Sequence, residues 1–155
     1  MLQTVPSDAL PKSARELICF SIYSAGHAFN RAYAPLLKKL NLTYPQYITL
    51  TVLWEKDGLS VGALCDYLKL ESSTLTPLLK RLEGLGHVER RRGKKDERQV
   101  FVFLTRSGSA LEKEAGDITK CIIGQTGYDL EILDEMVGLI TSLRDNVMSA
   151  KSDGR

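Results

Sequence analysis

The sequence predicts a mainly helical protein with one small β-hairpin, an α+β fold. Two observations predict it. Apolar residues recur at helical spacing through most of the 155 residues. Between about residues 87 and 104 the period changes from 3.6 to 2, which indicates two strands joined by a charged turn near Gly93-Lys94.

Length and composition limit the possible functions. A chain of 155 residues, 43% hydrophobic and 26% charged, is typical of a globular protein, and a single domain over residues 1–155 is expected. It contains no apolar run long enough to span a membrane and no secretory signal pattern, so a cytoplasmic location is expected. Three cysteines without a CxxC pair, two histidines and no phosphate loop predict neither a metal site nor a cofactor.

A leucine-striped helix is the centre of the pattern. Its apolar stripe consists of Leu75, Leu78, Leu79, Leu82 and Leu85. Ser72 and Ser73 are predicted to cap its start, and Gly86 its end. The opposite face carries hydroxyls and then cations: Ser73, Thr76, Pro77, Lys80 and Arg81. Phosphates and base edges accept such groups, although an ordinary solvated face is the alternative.

The hairpin that follows is strongly basic. From Lys80 to Arg98 there are eight cations and four acids, a net charge of +4 in a chain of formal charge +2, so the rest sums to −2. A local basic excess is the expected footprint of a nucleic-acid face. The pattern therefore predicts double-stranded DNA as a partner, with the helix in the major groove and the ribbon in the narrower groove.

The order of these elements resembles a winged helix-turn-helix at residues 59–104, with its first helix at 59–67. Asp96-Glu97-Arg98, followed by Leu104-Thr105 and Gly108, resembles the MarR family of bacterial regulators. The resemblance implies that Asp96 braces the wing and that Arg98 enters the minor groove. The predicted DNA-binding residues are Ser72, Ser73, Thr74, Thr76, Pro77, Lys80, Arg81, Arg91, Lys94, Lys95, Asp96 and Arg98.

Long helices are predicted outside this unit, at residues 13–40 and 105–149. Each carries an apolar stripe. Because a small winged unit cannot cover all of these stripes, they are expected to pack against a partner protein. The simplest partner is a second copy, which would present two reading helices to one palindromic operator. The MarR resemblance implies the same homodimer, with the terminal helices forming the dimerisation region.

The ends and faces of the other helices are predicted from local signals. Pro35 is expected to kink or end the first helix. The second helix runs to about Lys56 and is expected to bury Ile48, Val52 and Leu53 or Trp54. Thr105 or Ser107 is expected to cap the next helix, which Gly124, Gly127 and Asp129 interrupt.

Cys19 and three tyrosines form the candidate chemical site. Tyr23 lies one turn from Cys19 on the same helix face. Tyr33 points almost the same way but about 21 Å further along, so it could meet only the Cys19 of an antiparallel second chain. Tyr44 begins the next helix. Phenols that donate to sulfur favour the reactive thiolate, although a lone cysteine on an apolar helix is more often core.

The spacings of 4, 14 and 25 residues from Cys19 to these tyrosines resemble the organic hydroperoxide resistance regulators, a MarR branch. The resemblance implies that Cys19 is the redox sensor and that Tyr23, Tyr33 and Tyr44 hydrogen-bond it, two of them from the other subunit. It also makes Cys121 the candidate resolving cysteine of an intersubunit disulfide. Cys65 is expected to be core.

Three functions follow from these patterns. The first is a homodimeric repressor that leaves its operator when an organic hydroperoxide oxidises Cys19. The second is a MarR-type repressor released by a small aromatic ligand in a cleft between the dimerisation and reading regions, with Cys19 structural. The third, a thiol peroxidase, is disfavoured because a winged helix lacks the cradle of redox CxxC folds. No enzymatic activity is therefore expected.

Overall fold

The computed structural model describes residues 11–94 and 96–150. Within them the chain is mostly helical with one small sheet, which confirms the predicted fold class. The elements are α1 Ile18–Lys38, α2 Tyr44–Glu55, β1 Leu59–Ser60, α3 Val61–Leu68, α4 Ser72–Gly84, β2 Val88–Arg92, β3 Val100–Leu104, α5 Arg106–Thr126 and α6 Leu130–Ser149.

The chain divides into two compact units, Met1–Ala115 and Gly116–Arg155. The first unit holds α1 to α4, the sheet and the start of α5, whereas the second holds the rest of α5 and α6. None of the described helices combines the length and apolar character needed to cross a membrane. The prediction of a single domain stays a prediction.

The sheet is antiparallel, with strand order β1-β3-β2. The predicted hairpin is β2-β3, in register from Val88 opposite Leu104 to Arg92 opposite Val100. Strand β1 was not predicted: the helix expected from Leu59 begins only at Val61, because Leu59 and Ser60 first pair with β3. Ser60 then caps α3, and its hydroxyl accepts the backbone N–H of Ala63 at 3.1 Å.

The leucine stripe of α4 anchors the core of the first unit. Leu75, Leu79 and Leu82 are at most 1% exposed. The helix that carries them contacts α2, α3 and β2. Leu85, predicted to belong to the stripe, is 37% exposed because it follows the last helical turn. Full burial of a leucine side chain contributes about 1.5–3 kcal/mol, so the stripe is a major stabilising feature of this unit.

The sequence predicted the C-terminal end of α4 correctly but not the N-terminal cap. Its N-cap is Glu71, and Ser72 and Ser73 are the first helical residues, so their predicted capping role is wrong. The C-terminal prediction is confirmed, since Gly86 adopts the left-handed region at φ +77°. The N–H of Gly86 donates to the carbonyl of Glu83 at 2.9 Å, and that of His87 donates to Leu82 at 3.0 Å. This pair of bonds is a Schellman motif.

Other helix boundaries also depart from the predictions. The α-helix predicted from about Ser13 begins at Ile18, after a short 3₁₀ turn, and it continues past Pro35 to Lys38. Gly124 lies inside α5, which ends at Thr126 before Gly127 at φ +73°. Asp129 then caps α6, and its carboxylate accepts the N–H of Ile132 at 2.9 Å.

The buried face of α2 is also not the predicted one. Ile48 and Val52 are only half-buried, whereas Leu53 is fully buried as expected. The buried residues of this helix are Gln46, Tyr47, Thr49, Leu50 and Leu53.

A close backbone junction joins α4, the hairpin and α5. The Thr105 hydroxyl caps α5 by accepting the N–H of Gly108 at 3.0 Å, and it donates to the carbonyl of Gly86 at 2.6 Å. The Thr105 N–H donates to the carbonyl of His87 at 3.0 Å. A Cβ added at Gly108 would lie 1.9 Å from that His87 oxygen. The Leu-Thr-x-x-Gly pattern therefore reflects a cap and a close backbone approach.

Gly108→Ala is therefore expected to lower the free energy of unfolding by roughly 1–3 kcal/mol or more, because backbone on one side must shift. The matched control is Gly116→Ala in the same helix, where an added Cβ meets nothing within 4 Å. That control is expected to gain about 0.5–1 kcal/mol, the ordinary preference for alanine over glycine in a helix. Urea denaturation of both variants measures the two changes, and equal stabilities would contradict the close approach.

Candidate DNA interface and candidate thiol site

The face of α4 opposite the leucines is open to solvent. Thr76 is half-buried, and the other predicted DNA-binding residues of the helix are exposed, namely Ser72, Ser73, Thr74, Pro77, Lys80 and Arg81. The leucine stripe turns the whole set outward, because Leu75, Leu79 and Leu82 are buried on the other side. The exposed face can therefore offer hydroxyl and cationic donors to a duplex.

An open groove of about 450 Å³ lies beside this face, between the start of α3, the start of α4 and the hairpin. Its donors include the side chains of Ser72, Thr76, Arg90 and Arg98. The groove also reaches the first residues of α3, and the N-terminus of a helix carries partial positive charge. This concave donor-rich surface suits a backbone phosphate.

We call the hairpin at residues 88–104 the wing, and its tip is shaped by Asp96. One carboxylate oxygen of Asp96 accepts the backbone N–H of Arg98 at 3.0 Å and lies 3.8 Å from its Nε. The N–H of Gln99 donates to the Asp96 carbonyl at 3.1 Å, and that of Gly93 donates to Gln99 at 2.8 Å. The tight turn is thus at residues 96–99, beyond the predicted Gly93-Lys94.

This geometry is what a braced wing with a projecting arginine requires. The Arg98 side chain is 96% exposed, so it extends from the turn that Asp96 holds. Lys94 is exposed as well, and the predicted contact residue Lys95 lies outside the described residues.

Two other arginines of the wing are held by acids. Arg91 pairs with Glu89 and stacks over the ring of Phe103, with its guanidinium carbon 4.8 Å from the ring centroid. Arg90, which was not predicted as functional, donates to Glu83 through Nε at 2.9 Å, Nη2 at 2.6 Å and its backbone N–H at 3.1 Å. Hydrogen bonds from this side chain hold the pKa of Glu83 below its usual range.

The Glu83–Arg90 pair has a consequence for the DNA face. It ties the last turn of α4 to the first strand of the wing, so the two elements that would contact DNA are held together. It also engages Arg90, one of the eight cations counted along the sequence, so this arginine adds little positive charge to the DNA face. The signal available beforehand was an acid seven residues before an arginine, a spacing that pairs only because the chain reverses at Gly86.

Cys19 lies exposed on the first turn of α1. Tyr23, one turn further on, is 64% exposed, and its ring meets the edge of His27 at a centroid distance of 4.4 Å. Tyr33 lies on the same helix, about 21 Å further along its axis. The structure of one chain therefore does not bring Cys19 together with Tyr33 or Tyr44.

Tyr33 and Tyr44 do meet each other, at a centroid distance of 4.8 Å. Tyr47, which was not predicted, is a third member; its ring centroid is 5.5 Å from that of Tyr33, and the residue is only 4% exposed. Burial, followed by the neighbouring phenols, raises the pKa of Tyr33 to about 12, and burial also raises the pKa of Tyr44. Both phenols therefore stay protonated and able to donate at neutral pH. The Tyr44-x-x-Tyr47 spacing was the available signal.

The other two cysteines differ in environment. Cys121 is exposed on α5, in the second unit, and accepts a hydrogen bond from the Gln125 amide at 3.5 Å. Cys65 is half-buried on α3, where burial, followed by Asp66 and Glu71, raises its pKa and disfavours the thiolate. Among the described residues, no cluster of histidine, cysteine or carboxylate side chains could hold a metal ion.

Comparison with known proteins gives this geometry a family. The model of the SarA/Rot family of transcriptional regulators matches residues 31–115. The chain is 46% identical over 147 residues to the transcriptional regulator TtmR of Methylorubrum extorquens strain PA1, covering 95% of this chain and 74% of that protein. It is 44% identical over 119 residues to the organic hydroperoxide resistance transcriptional regulator of Bacillus subtilis strain 168, covering 75% of this chain and 81% of that one.

The chain belongs to the MarR family of winged-helix regulators. Reduced AbfR of Staphylococcus epidermidis bound to DNA is similar, with a TM-score of 0.72, 32% identity and coverage of 86% of this chain and 91% of that one. Disulfide-formed AbfR has a TM-score of 0.60 and 33% identity, covering 86% and 88%. The predicted MarR regulator of the organic hydroperoxide resistance type is confirmed, and the protein is a DNA-binding transcriptional regulator.

Arg98→Ala is expected to weaken operator binding by about 1–3 kcal/mol, the cost of a lost base-reading contact. Asp96→Ala should cost less, because it removes only the brace, and Asp96→Asn should stay near wild type since its amide oxygen can still accept the Arg98 N–H. Fluorescence anisotropy, on a duplex selected from random DNA by the wild-type protein, measures this.

Arg144→Ala, in the second unit, makes the same change in net charge and serves as the control. If Arg98→Ala and Arg144→Ala lose the same affinity, the wing contributes only net charge.

The Glu83–Arg90 pair predicts a pH-dependent stability. The pKa of Glu83 is lower in the folded state, so its contribution is fully present above the unfolded value of 4.5 and is lost as pH falls through the folded value. Glu83→Gln should cost about 1 kcal/mol at pH 7, a figure discounted for partial exposure. The difference from wild type should shrink as pH falls below the unfolded value of 4.5 and through the lower folded value. Urea denaturation against pH tests this, with exposed Glu135→Gln as control; a pH-independent difference would contradict the pair.

Proposed function

We propose that this chain is a homodimeric repressor that senses organic hydroperoxides at Cys19 and leaves a palindromic operator when it is oxidised. One observation carries the proposal. An exposed cysteine and a cluster of protonated phenols lie at opposite ends of one helix, and exposed apolar side chains lie between them.

The apolar surfaces support a second copy as the partner. On α1, Ile18 is 62% exposed and Phe29 is 43% exposed; on α6, Leu130 and Leu139 are 67% and 66% exposed. Each helix therefore exposes an apolar surface of the kind that marks a protein–protein interface. A two-fold axis that pairs α1 with its own copy antiparallel would cover the surface of α1, and it would carry the Cys19 of one chain towards Tyr33 and Tyr44 of the other.

The chemistry of the site then follows. The Cys19 thiolate attacks the terminal oxygen of a hydroperoxide, so an S–O bond forms and the O–O bond breaks, giving a sulfenic acid and an alkoxide that takes a proton from water to become an alcohol. The phenols of Tyr33 and Tyr44 donate hydrogen bonds to the thiolate and to the departing oxygen. Because their pKa values are raised, they remain donors throughout the reaction. The apolar surface favours an organic peroxide over hydrogen peroxide.

Resolution by Cys121 of the second chain is the next step. Its thiolate attacks the sulfenic sulfur, an S–S bond forms, the S–O bond breaks and hydroxide leaves, to be protonated to water by the solvent. A disulfide requires Cα atoms within about 7 Å, a constraint far stronger than a sulfenic acid. Such a constraint on the dimerisation helices is expected to move the two reading helices away from half-sites one DNA turn apart. The names of two relatives support parts of this proposal: the Bacillus relative is an organic hydroperoxide resistance regulator, and AbfR has a form with a disulfide.

A cleft favours the second function. It has a volume of about 520 Å³ and lies between the end of α1 and the start of α2, with Leu37, Leu42 and Pro45 in its walls and Lys38 at its edge. An apolar cleft with one cation suits a small aromatic acid. In this case the acid would release the operator and Cys19 would be structural.

Operator binding under two inducers separates the two functions. We expect cumene hydroperoxide to release the wild-type protein from the operator and to leave Cys19→Ser bound, because oxidation of the Cys19 sulfur is the first step of the response. Benzoate should release neither. Cys121→Ser should form the sulfenic acid but no covalent dimer on a non-reducing gel.

The control variant is Cys65→Ser, which should behave as wild type. Release of Cys19→Ser by peroxide would reject the proposed sensor, and release of both proteins by benzoate would favour the aromatic ligand. A covalent dimer that persists in Cys121→Ser would remove Cys121 from the mechanism.

A further inference from the structure

We propose that Trp54 couples the sensor phenols to the DNA-contacting elements, acting as a positioning residue through which oxidation loosens α4 and the wing. The inference rests on the proposed redox function and concerns how its signal travels within the first unit. It is carried by an unbroken series of contacts from Tyr33 to Gly86 and His87.

The first part of the series is a row of four rings: Tyr33, Tyr44, Tyr47 and Trp54. Tyr47 contacts both Tyr33, at a centroid distance of 5.5 Å, and Trp54, at 6.3 Å with the planes at 68°. Tyr47 and Trp54 lie seven residues apart on α2, two turns along one face. Since Tyr47 is 4% exposed, it has no free space in which to absorb a shift of Tyr33 without moving its neighbours.

The second part of the series is a hydrogen bond from Trp54, the last ring of the row, to the backbone of α5. The indole N–H of Trp54 donates to the carbonyl of Gly108 at 3.0 Å, which joins α2 to the first turn of α5. An indole has only this one donor, so the bond fixes the rotation of the ring. Gly108 is also where the backbone of α5 approaches the His87 carbonyl too closely for a Cβ. Movement of Trp54 therefore displaces Gly108, and the close approach of Gly108 to His87 leaves no room for that displacement unless the His87 backbone moves as well.

The third part ends at the DNA face. Gly108 donates to the Thr105 hydroxyl, which in turn donates to Gly86, and the Thr105 N–H donates to His87. Gly86 closes the reading helix α4, and His87 immediately precedes strand β2 of the wing. The series thus ends where both elements are held, while the phenols at its other end are those proposed to contact the oxidised sulfur.

A purely structural tie makes a different prediction from a coupling residue. Losing a structural hydrogen bond would lower stability, and it would change operator affinity equally for reduced and oxidised protein. Losing a coupling contact changes the ratio between the two affinities, since allostery is a free energy shared by two sites. Trp54→Phe separates the cases, because phenylalanine keeps a ring against Tyr47 but removes the donor to Gly108.

The test compares operator affinity before and after cumene hydroperoxide, with Cys19 oxidation followed by mass spectrometry. In Trp54→Phe we expect Cys19 to oxidise at the wild-type rate, and the reduced protein to bind within about threefold of wild type. The loss of affinity on oxidation should shrink by about tenfold, within the usual range of allosteric coupling. Thr51→Val is the matched control: it removes a hydroxyl bond to the Tyr47 carbonyl at 3.0 Å in the same helix but leaves the Gly108 bond in place.

A second readout needs no substitution of Trp54 itself. Trp54 is the only tryptophan of the chain, so its emission reports on the end of the row. Peroxide should shift this emission in wild type and not in Cys19→Ser. The coupling would be overturned if peroxide released Trp54→Phe from the operator as fully as wild type. It would also be overturned if wild type left the operator with its tryptophan emission unchanged. Either result would leave the redox function intact. Failure of wild type to release under peroxide would instead reject the redox function, and the coupling with it.

Discussion

The hydrogen bonds of Thr105 to Gly86 and His87 are the constraint on which the DNA-contacting half depends. They fix in one place the end of α4, the beginning of β2 and the first turn of α5. A single bond of this kind contributes only about 1 kcal/mol. Its effect here is geometric, because the Schellman turn at Gly86 and the missing Cβ of Gly108 let three backbone segments approach one another. The angle between the reading helix and the wing is consequently set by this close backbone junction, together with the Thr105 hydroxyl and the Glu83–Arg90 pair.

Electrostatics then divides the cations of this half into two groups. Arg90 and Arg91 face acids on the protein itself, so they stabilise the wing more than they add charge to the DNA face. Lys80, Arg81 and Lys94 are exposed, and Arg98 extends from the tip. Asp96 belongs to neither group: it holds the backbone N–H of Arg98 at 3.0 Å, while its distance of 3.8 Å from Nε leaves the guanidinium free to turn outward.

The sequence was informative wherever structure depends on local spacing. The leucines of α4, the period-2 strands of the wing and the glycine after α4 were all predicted because neighbouring residues carry the signal. Strand β1 was missed because its two residues gain their pairing from β3, about forty positions later. The face of α2 was predicted wrongly because Gln46 and Thr49 are buried and polar. Their side chains bond the backbone of Thr43 and Pro45, so hydrophobicity does not mark that face.

The candidate thiol site also depends on residues that are distant along the chain, in this case on residues of a second chain. Cys19, Tyr33 and Tyr44 are recognisable by spacing, but one chain leaves the sulfur exposed, and Tyr33 lies about 21 Å further along the same helix axis. In the proposed dimer a single association step supplies both missing parts: donors for the thiolate, and a second reading helix for the other half-site. Sensing and operator recognition would then share one requirement. Dilution that separates the chains would remove peroxide reactivity and specific DNA binding together, whereas oxidation would end DNA binding in a dimer that stays assembled.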